Sequence, residues 1–548
     1  MNMLPPLNDE IISQRNQNRS TVVSRNGMVC TSQPLASMAG IDVLKAGGNA
    51  IDAAICANAM LSVVEPMNCG PGGDLFAIVW DTKSQRLHGL NASGRAPYDW
   101  SLDAARELGL DAIPGYSPLA WTVPGCVSGW KALHDKLGRA SVESVLGPAM
   151  TAAREGFPLS PIIAGEWPFD AEKYPTLAKA YMPNGKAPRF GEIFVNDDMA
   201  NTFEILIRDG FDAFYKGEIA ERIVEFSKAQ GGRFSMRDFE THEATWSDPV
   251  TTSYRGYDVW ELPPNGQGIA VLQMLNILDN FDFSGMTPNS AEHLHLFVEA
   301  KKLAYEDRAK YYADPDFADV PIEWLISKDY GRDRAKLIDP TKAATNIAAG
   351  TAPDTSETIY LTAADNEGNM VSLIQSTYSG WGSHFVPAGL GFAIQNRGDA
   401  FSLNPDHPNR LEPHKRPFHT IIPAFVTQSD KPVFSFGVMH GDFQPQGHVQ
   451  VLMNLLDFGF SPQQAGEQPR VYHGGSSDPS GDAADGGGFV RFERHVPQEV
   501  KEQLEAMGHT INWDIGTWGG YQGIWRVDEP LRYFGGSDPR KDGCAIGY

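Results

Sequence analysis

The chain has few cysteines and no pairing pattern among them. Its five, Cys30, Cys56, Cys69, Cys126 and Cys544, are odd in number and scattered, with no C-x-x-C pair. That excludes a disulfide framework and a cysteine zinc site, and fits free thiols in a reducing compartment. Positive charge is also scarce: 45 Lys+Arg stand against 68 Asp+Glu, a formal charge of −23, and no basic run compensates. Nucleic acid and anionic membrane surfaces are therefore excluded as partners. Long apolar runs are missing too. The most apolar early stretch, AAICANAMLSVV from Ala53 to Val64, is interrupted by Asn58 and too short to cross a bilayer. The N-terminus MNMLPPLNDEIISQRNQNRS is polar and acidic, unlike a signal peptide, so the expected location is the cytoplasm.

Two further absences concern chemistry. GPGGD and GGSSDPSGDAADGGG are Gly-rich, yet neither matches a phosphate-binding G-x-x-x-x-G-K-[ST] nor a G-x-G-x-x-G between strand and helix. No H-E-x-x-H occurs, and His293 and His295 stand two apart on a predicted helix, on different faces. The histidines of HPNRLEPHKRPFHT read as loop or core-edge residues. No metal and no cofactor are expected.

What is present is a large globular core. With 548 residues, 42% of them hydrophobic and 10% aromatic, the chain can bury enough apolar surface for more than one compact lobe. PLASMAGIDVLKAGGNAIDAAICANAML carries apolar residues at helical spacing, and GGN splits the run into two helices. CGPGGD (Cys69 to Asp74) turns into the strand LFAIVWD, and a loop-rich middle holds YPTLAKAYMPNGKAPRFGE. NSAEHLHLFVEAKKLAYEDRAKYYA predicts a helix with Leu294, Phe297, Val298 and Leu303 on one buried face. Residues 340 to 357, PTKAATNIAAGTAPDTSE, read as a linker. After it, TIYLTAAD, the turn NEGN and MVSLIQS predict a β-hairpin with Thr358 at its head. Read locally, that threonine is an ordinary strand residue. There is no internal repeat, and the mixture predicts an α/β or α+β fold with helix-covered sheets.

The blocks GMVCTSQPLASMAGIDVLKAGGNAIDAAICANAMLSVVEPMNCGPGGDLFAIVWD, KLAYEDRAKYYADPDF, SETIYLTAADNEGNMVSLIQS and GFAIQNRGDAFSLNPDHPNRLEPHKRPFHTIIPA resemble the gamma-glutamyltranspeptidase family, in the family's order and across nearly the whole chain. The resemblance implies the N-terminal nucleophile hydrolase fold, four αββα layers with two central sheets. It also implies a precursor that cuts itself between Glu357 and Thr358 into a large chain, 1–357, and a small chain, 358–548, together one intertwined domain. Thr358 matches the family's nucleophile. A threonine hydroxyl needs a base, and the amine freed by cleavage, with a pKa of about 8, can serve where an internal amide cannot.

Other roles follow from the resemblance position by position. Ser376 falls where the family places a second hydroxyl beside the nucleophile. The oxyanion hole, a Gly-Gly pair in the family, falls on His440 and Gly441, where backbone N–H groups suffice. Transpeptidases grip the glutamyl α-carboxylate with an Arg whose place Ser93 takes here, with Arg95 two residues on. Groups that hold the α-amino group fall on Tyr378, Arg397 and Ala400, and Asp399 is the acid that remains. The segments SGRAP, QNRG and HPN-L-P-KRPFHT are similar instead to the oxamate amidohydrolase branch, where Arg397 or Arg95 can bind a small carboxylate bidentately.

Three readings stand at this point. The first is an autoprocessed threonine amidohydrolase for a small carboxylated amide such as oxamate. The second is a glutathione hydrolase or gamma-glutamyltransferase. The third is an unprocessed, non-catalytic binding relative. The expected partners are a small-molecule amide and the two chains of one precursor, with a homodimer of processed heterodimers among the assemblies allowed.

Overall fold

The computed structural model describes residues 18–344, 357–481 and 486–548. Residues 345–356 of the expected linker lie outside them.

Two seven-stranded antiparallel sheets form the centre. The first runs Cys544–Gly547, Gly27–Thr31, Glu357–Asp365, Met370–Tyr378, Asp74–Asp81, Arg86–Ala92, Thr245–Ser247. The second runs Val22–Ser24, Arg532–Ser537, Tyr521–Val527, Lys431–Val438, Ala424–Gln428, Tyr257–Glu261, Val250–Tyr254. Both sheets therefore combine strands from before and after Thr358.

The unbroken apolar run LFAIVWD reflects burial on both faces, because strand side chains alternate sides. Phe76, Ile78 and Trp80 enter the core between the sheets with Phe425, Ile524 and Tyr533. Leu75, Ala77 and Val79 face a helical layer that includes Ala50–Val64, Cys126–Leu137 and Val142–Glu155. Helices Ile269–Leu278, Ala291–Tyr311 and Gln444–Leu456 cover the second sheet. The result is the four-layer αββα arrangement.

Local chemistry agrees with the sequence at several joints. GGN does break the first helical run, into Pro34–Lys45 and Ala50–Val64. Asn49 and Asp52 form a reciprocal capping box at the start of the second. In the hairpin turn Gly368 has φ +90°, a conformation that favours glycine. Asp365 closes that turn by accepting from the backbone N–H groups of Glu367 and Asn369, at 2.9 and 3.0 Å. Its other oxygen takes the Ala50 N–H at 2.9 Å, fastening the hairpin to the helix N-terminus. The helix Ala291–Tyr311 differs from expectation: it is buried almost all round, because segments of the C-terminal half pack over its polar side. Among the described residues no helix is long and apolar enough to cross a membrane.

Candidate active site

Thr358 stands second in its strand, and the two-residue period sets it on the face of Tyr360 and Thr362, toward the second sheet. Tyr360 donates to or accepts from Ser372 Oγ at 2.7 Å, and Thr362 is joined to Ser435 of the second sheet at 2.5 Å. At Thr358 the ladder is irregular. Glu357 pairs with Tyr378 but Ile359 with Gln375, so one residue faces two, Ser376 and Thr377. Such a bulge re-aims side chains. Here it brings the Thr358 and Ser376 hydroxyl oxygens to 3.5 Å, both residues being buried. Ser376 Oγ also accepts from the Tyr378 N–H at 2.8 Å.

Tyr378 leaves the strand with φ +80° and lays its ring under a guanidinium: Arg397 Cζ stands 3.9 Å from the ring centroid. Arg397 is fully buried. Its Nη1 donates to Thr420 Oγ1 at 2.8 Å, while Nε and Nη2 have no hydrogen-bond partner among the described residues. Burial lowers its pKa to about 10, opposed by Tyr378, Asp74 and Asp399. Asp399 Oδ1 is likewise buried with no partner among the described residues. Burial raises its pKa to about 7; Arg397 opposes this and Asp478 adds to it. Buried donors and acceptors left unsatisfied are costly unless a ligand completes them.

The turn at His440 and Gly441 is held from the helix Ala291–Tyr311. His440 has φ +88° and Gly441 φ +44°. Gln267 Nε2 donates both to the Gly441 carbonyl at 2.9 Å and to the Thr420 carbonyl at 2.7 Å, and Arg308 Nη1 donates to Gln267 Oε1 at 2.6 Å. Tyr305 donates to the Asp442 carbonyl. Asp442 and Asp478 both help to raise the pKa of Tyr378, after burial and Asp399.

The structure thus joins Thr358, Ser376, Tyr378 and Arg397 into one contiguous set, with Asp399 close enough for its charge to act on Arg397. Arg95 is turned elsewhere: it lies 3.7 Å from Asp314 and 3.6 Å from Asp316, and donates to the His414 carbonyl. Ser93 donates to Asn91 Oδ1 at 2.7 Å, and Ala400 is buried. The backbone of Glu357 continues into Thr358 in one strand. Thr420, Gln267 and Asp478 were not singled out from the sequence. Thr420 lies within the quoted KRPFHT block, but nothing local shows that its hydroxyl meets a guanidinium 23 residues away.

One cluster has a metal-type donor set. His295, Glu299 and His509 are buried and place one ligand atom each within 4.8 Å of one another. Their atoms already have partners. His295 Nδ1 meets His509 Nε2 at 2.8 Å and its Nε2 meets the Asp339 carbonyl at 2.7 Å. Glu299 accepts from Lys302 Nζ at 2.7 Å and from the Ala344 N–H at 3.2 Å. An ammonium on the carboxylate opposes a second cation, and these bonds moor the chain just before residue 345.

The model of the family described as Gamma-glutamyltranspeptidase matches residues 36–548. The chain belongs to the gamma-glutamyltranspeptidase family. It is 37% identical to the glutathione hydrolase-like YwrD proenzyme of Bacillus subtilis, covering 96% of this chain and 99% of that one. The oxamate amidohydrolase proenzyme of Klebsiella pneumoniae is 32% identical, over 96% of this chain and 100% of its own. The crystal structure of a cephalosporin acylase from Bacillus halodurans superposes with a TM-score of 0.88 at 40% identity, covering 97% of each chain. The fold is that of the N-terminal nucleophile hydrolases, and the chain is an enzyme of that class.

Proposed function

We propose that the protein is an autoprocessing threonine amidohydrolase that cleaves the amide bond of a small carboxylated amide. The observation that carries the substrate class is Arg397: a fully buried guanidinium whose Nε and Nη2 have no partner among the described residues, one tyrosine away from the Thr358–Ser376 pair. Two parallel N–H donors match a carboxylate. Arg95, already engaged by Asp314 and Asp316, is the weaker candidate for the same task.

The precursor would first cut itself. Thr358 Oγ attacks the Glu357 carbonyl, the acyl group moves from nitrogen to oxygen, and water hydrolyses the ester. This leaves chains of 357 and 548 − 357 = 191 residues. The interleaved strands of both sheets would hold the two together. In turnover the freed amine takes the hydroxyl proton as Oγ attacks the substrate amide. The oxyanion rests on the backbone N–H groups of His440 and Gly441, the proton passes to departing ammonia or amine, and water releases the acyl group. The proenzyme names of the relatives support maturation, and the free, mostly buried thiols support a reducing cytoplasm.

The second reading, a glutathione hydrolase, rests on the similarity to the glutathione hydrolase proenzyme of Bacillus subtilis, 32% identical over 96% of this chain. Ala400 and Arg397, where an α-amino group would need an acid, weigh against it. The test is kcat/KM on one mature preparation for oxamate, glutathione and γ-glutamyl-p-nitroanilide. Oxamate-like amides should lead, and Arg397→Ala should cost their binding roughly 2 to 5 kcal/mol. Efficient glutathione hydrolysis without oxamate turnover would replace this reading with the second.

A further inference from the structure

Asp74 closes the Gly-rich turn CGPGGD, which matches no phosphate-binding pattern, and opens the strand Asp74–Asp81. It is fully buried, and its carboxylate collects four donors. Oδ1 accepts from the backbone N–H groups of Gly94 at 2.8 Å and Gly125 at 3.1 Å, and from Gln395 Nε2 at 2.8 Å. Oδ2 accepts from His419 Nε2 at 2.9 Å. His419 is also fully buried, and its Nδ1 accepts from the Ile421 N–H at 3.4 Å, which assigns the ring proton to Nε2. Burial holds the imidazole well below its ordinary pKa, with Arg397 and Arg416 adding to the effect, so the ring is neutral.

The two side chains that Asp74 grips sit beside Arg397 on separate segments. Gln395 is two residues before it in the chain. His419 immediately precedes Thr420, whose hydroxyl accepts from Arg397 Nη1. One carboxylate therefore ties together the two segments that hold the guanidinium. Burial raises the Asp74 pKa to about 7, with Arg397 opposing, and in its ionised form Asp74 helps to keep Arg397 protonated against burial, after Tyr378 in effect and ahead of Asp399. A buried cation without such a partner would be strongly disfavoured.

We propose that Asp74 is the positioning residue of the carboxylate grip, fixing Arg397 in place and in charge through Gln395 and through the His419–Thr420 segment. This rests on the reading of Arg397 as the group that binds the substrate carboxylate. Asp74 touches neither substrate nor nucleophile in this role. Its removal should act on binding of the charged end of the substrate and spare the bond-breaking step.

The experiment compares wild type, Asp74→Asn, Arg397→Ala and the double variant, with oxamate and its uncharged diamide, oxamide, as substrates. Asp74→Asn should raise KM for oxamate roughly tenfold or more with kcat and self-cleavage retained, and leave kcat/KM for oxamide unchanged. In the Arg397→Ala background it should add nothing, since the two act as one unit. Equal losses on both substrates, or a full additional loss in the double variant, would reduce Asp74 to a structural residue and overturn the proposal. An increase in KM from Arg397→Ala with none from Asp74→Asn would overturn this proposal alone. No increase from Arg397→Ala would overturn the underlying reading and this proposal with it. Should Asp74→Asn fail to fold, His419→Leu carries the same comparison, while His419→Gln, which keeps a donor for Asp74, should restore KM toward wild type.

Discussion

The hydroxyl oxygens of Thr358 and Ser376 lie 3.5 Å apart across a bulge in the hairpin, long for a hydrogen bond but close enough to tighten when an oxyanion forms. Thr358→Ala should therefore remain one chain of 60.0 kDa on a denaturing gel, while wild type resolves into chains ending and starting at the Glu357–Thr358 bond. Ser376→Ala should cut more slowly at the same place. Two bands from Thr358→Ala would assign the cut to another protease.

Asp399 gives the expected pH dependence of substrate binding. Its pKa rises from 3.8 to about 7, so at lower pH it is neutral and does not compete with the substrate carboxylate for Arg397. As pH passes upward through about 7, the ionised Asp399 should repel that carboxylate and KM should rise. In Asp399→Asn the rise should shrink to the part that Asp74 contributes, whose pKa burial also raises to about 7. The stability sign is the same: the folded state binds the extra proton, so the Asp399 contribution falls from about pH 4 to 7 and is flat above. Parallel KM profiles for the two proteins would refute this assignment.

Gln267 ties the Gly441 and Thr420 carbonyls to Arg308. Gln267→Leu leaves three buried polar groups short of a partner and loosens the turn that would bear the oxyanion. It should lower kcat roughly 10- to 100-fold and slow self-cleavage as well, because both steps pass through a tetrahedral intermediate. Single-turnover and processing rates measured together check this; a change in KM alone would mean that the turn is held by other contacts.

Removal of metal is expected to change nothing. His295, Glu299 and His509 satisfy one another and their neighbours, with Lys302 supplying the positive charge. Chelator-treated protein should keep its activity and its melting temperature, and elemental analysis should find no stoichiometric zinc. A melting temperature that falls with chelator and returns with zinc would make this cluster a structural metal site.

The sequence by itself determined the parts whose causes are local. GGN had to end a helix, NEGN had to turn, and LFAIVWD had to be a strand, because φ preference and side-chain period act over a few residues. The order of motifs likewise pointed to the four-layer fold and to Thr358. Which arginine is left with free donors was another matter. Arg95 and Arg397 both sit in polar loop sequence. One meets Asp314 and Asp316 from more than 200 residues away and is neutralised; the other is sealed over Tyr378 with one hydrogen bond among the described residues, to Thr420. The tertiary structure also made a hub of Asp74 and His419, 345 residues apart, and enclosed the helix Ala291–Tyr311 almost completely. The physical reason is that desolvation and charge pairing depend on which groups pack together, and that is settled only when distant segments close the same space.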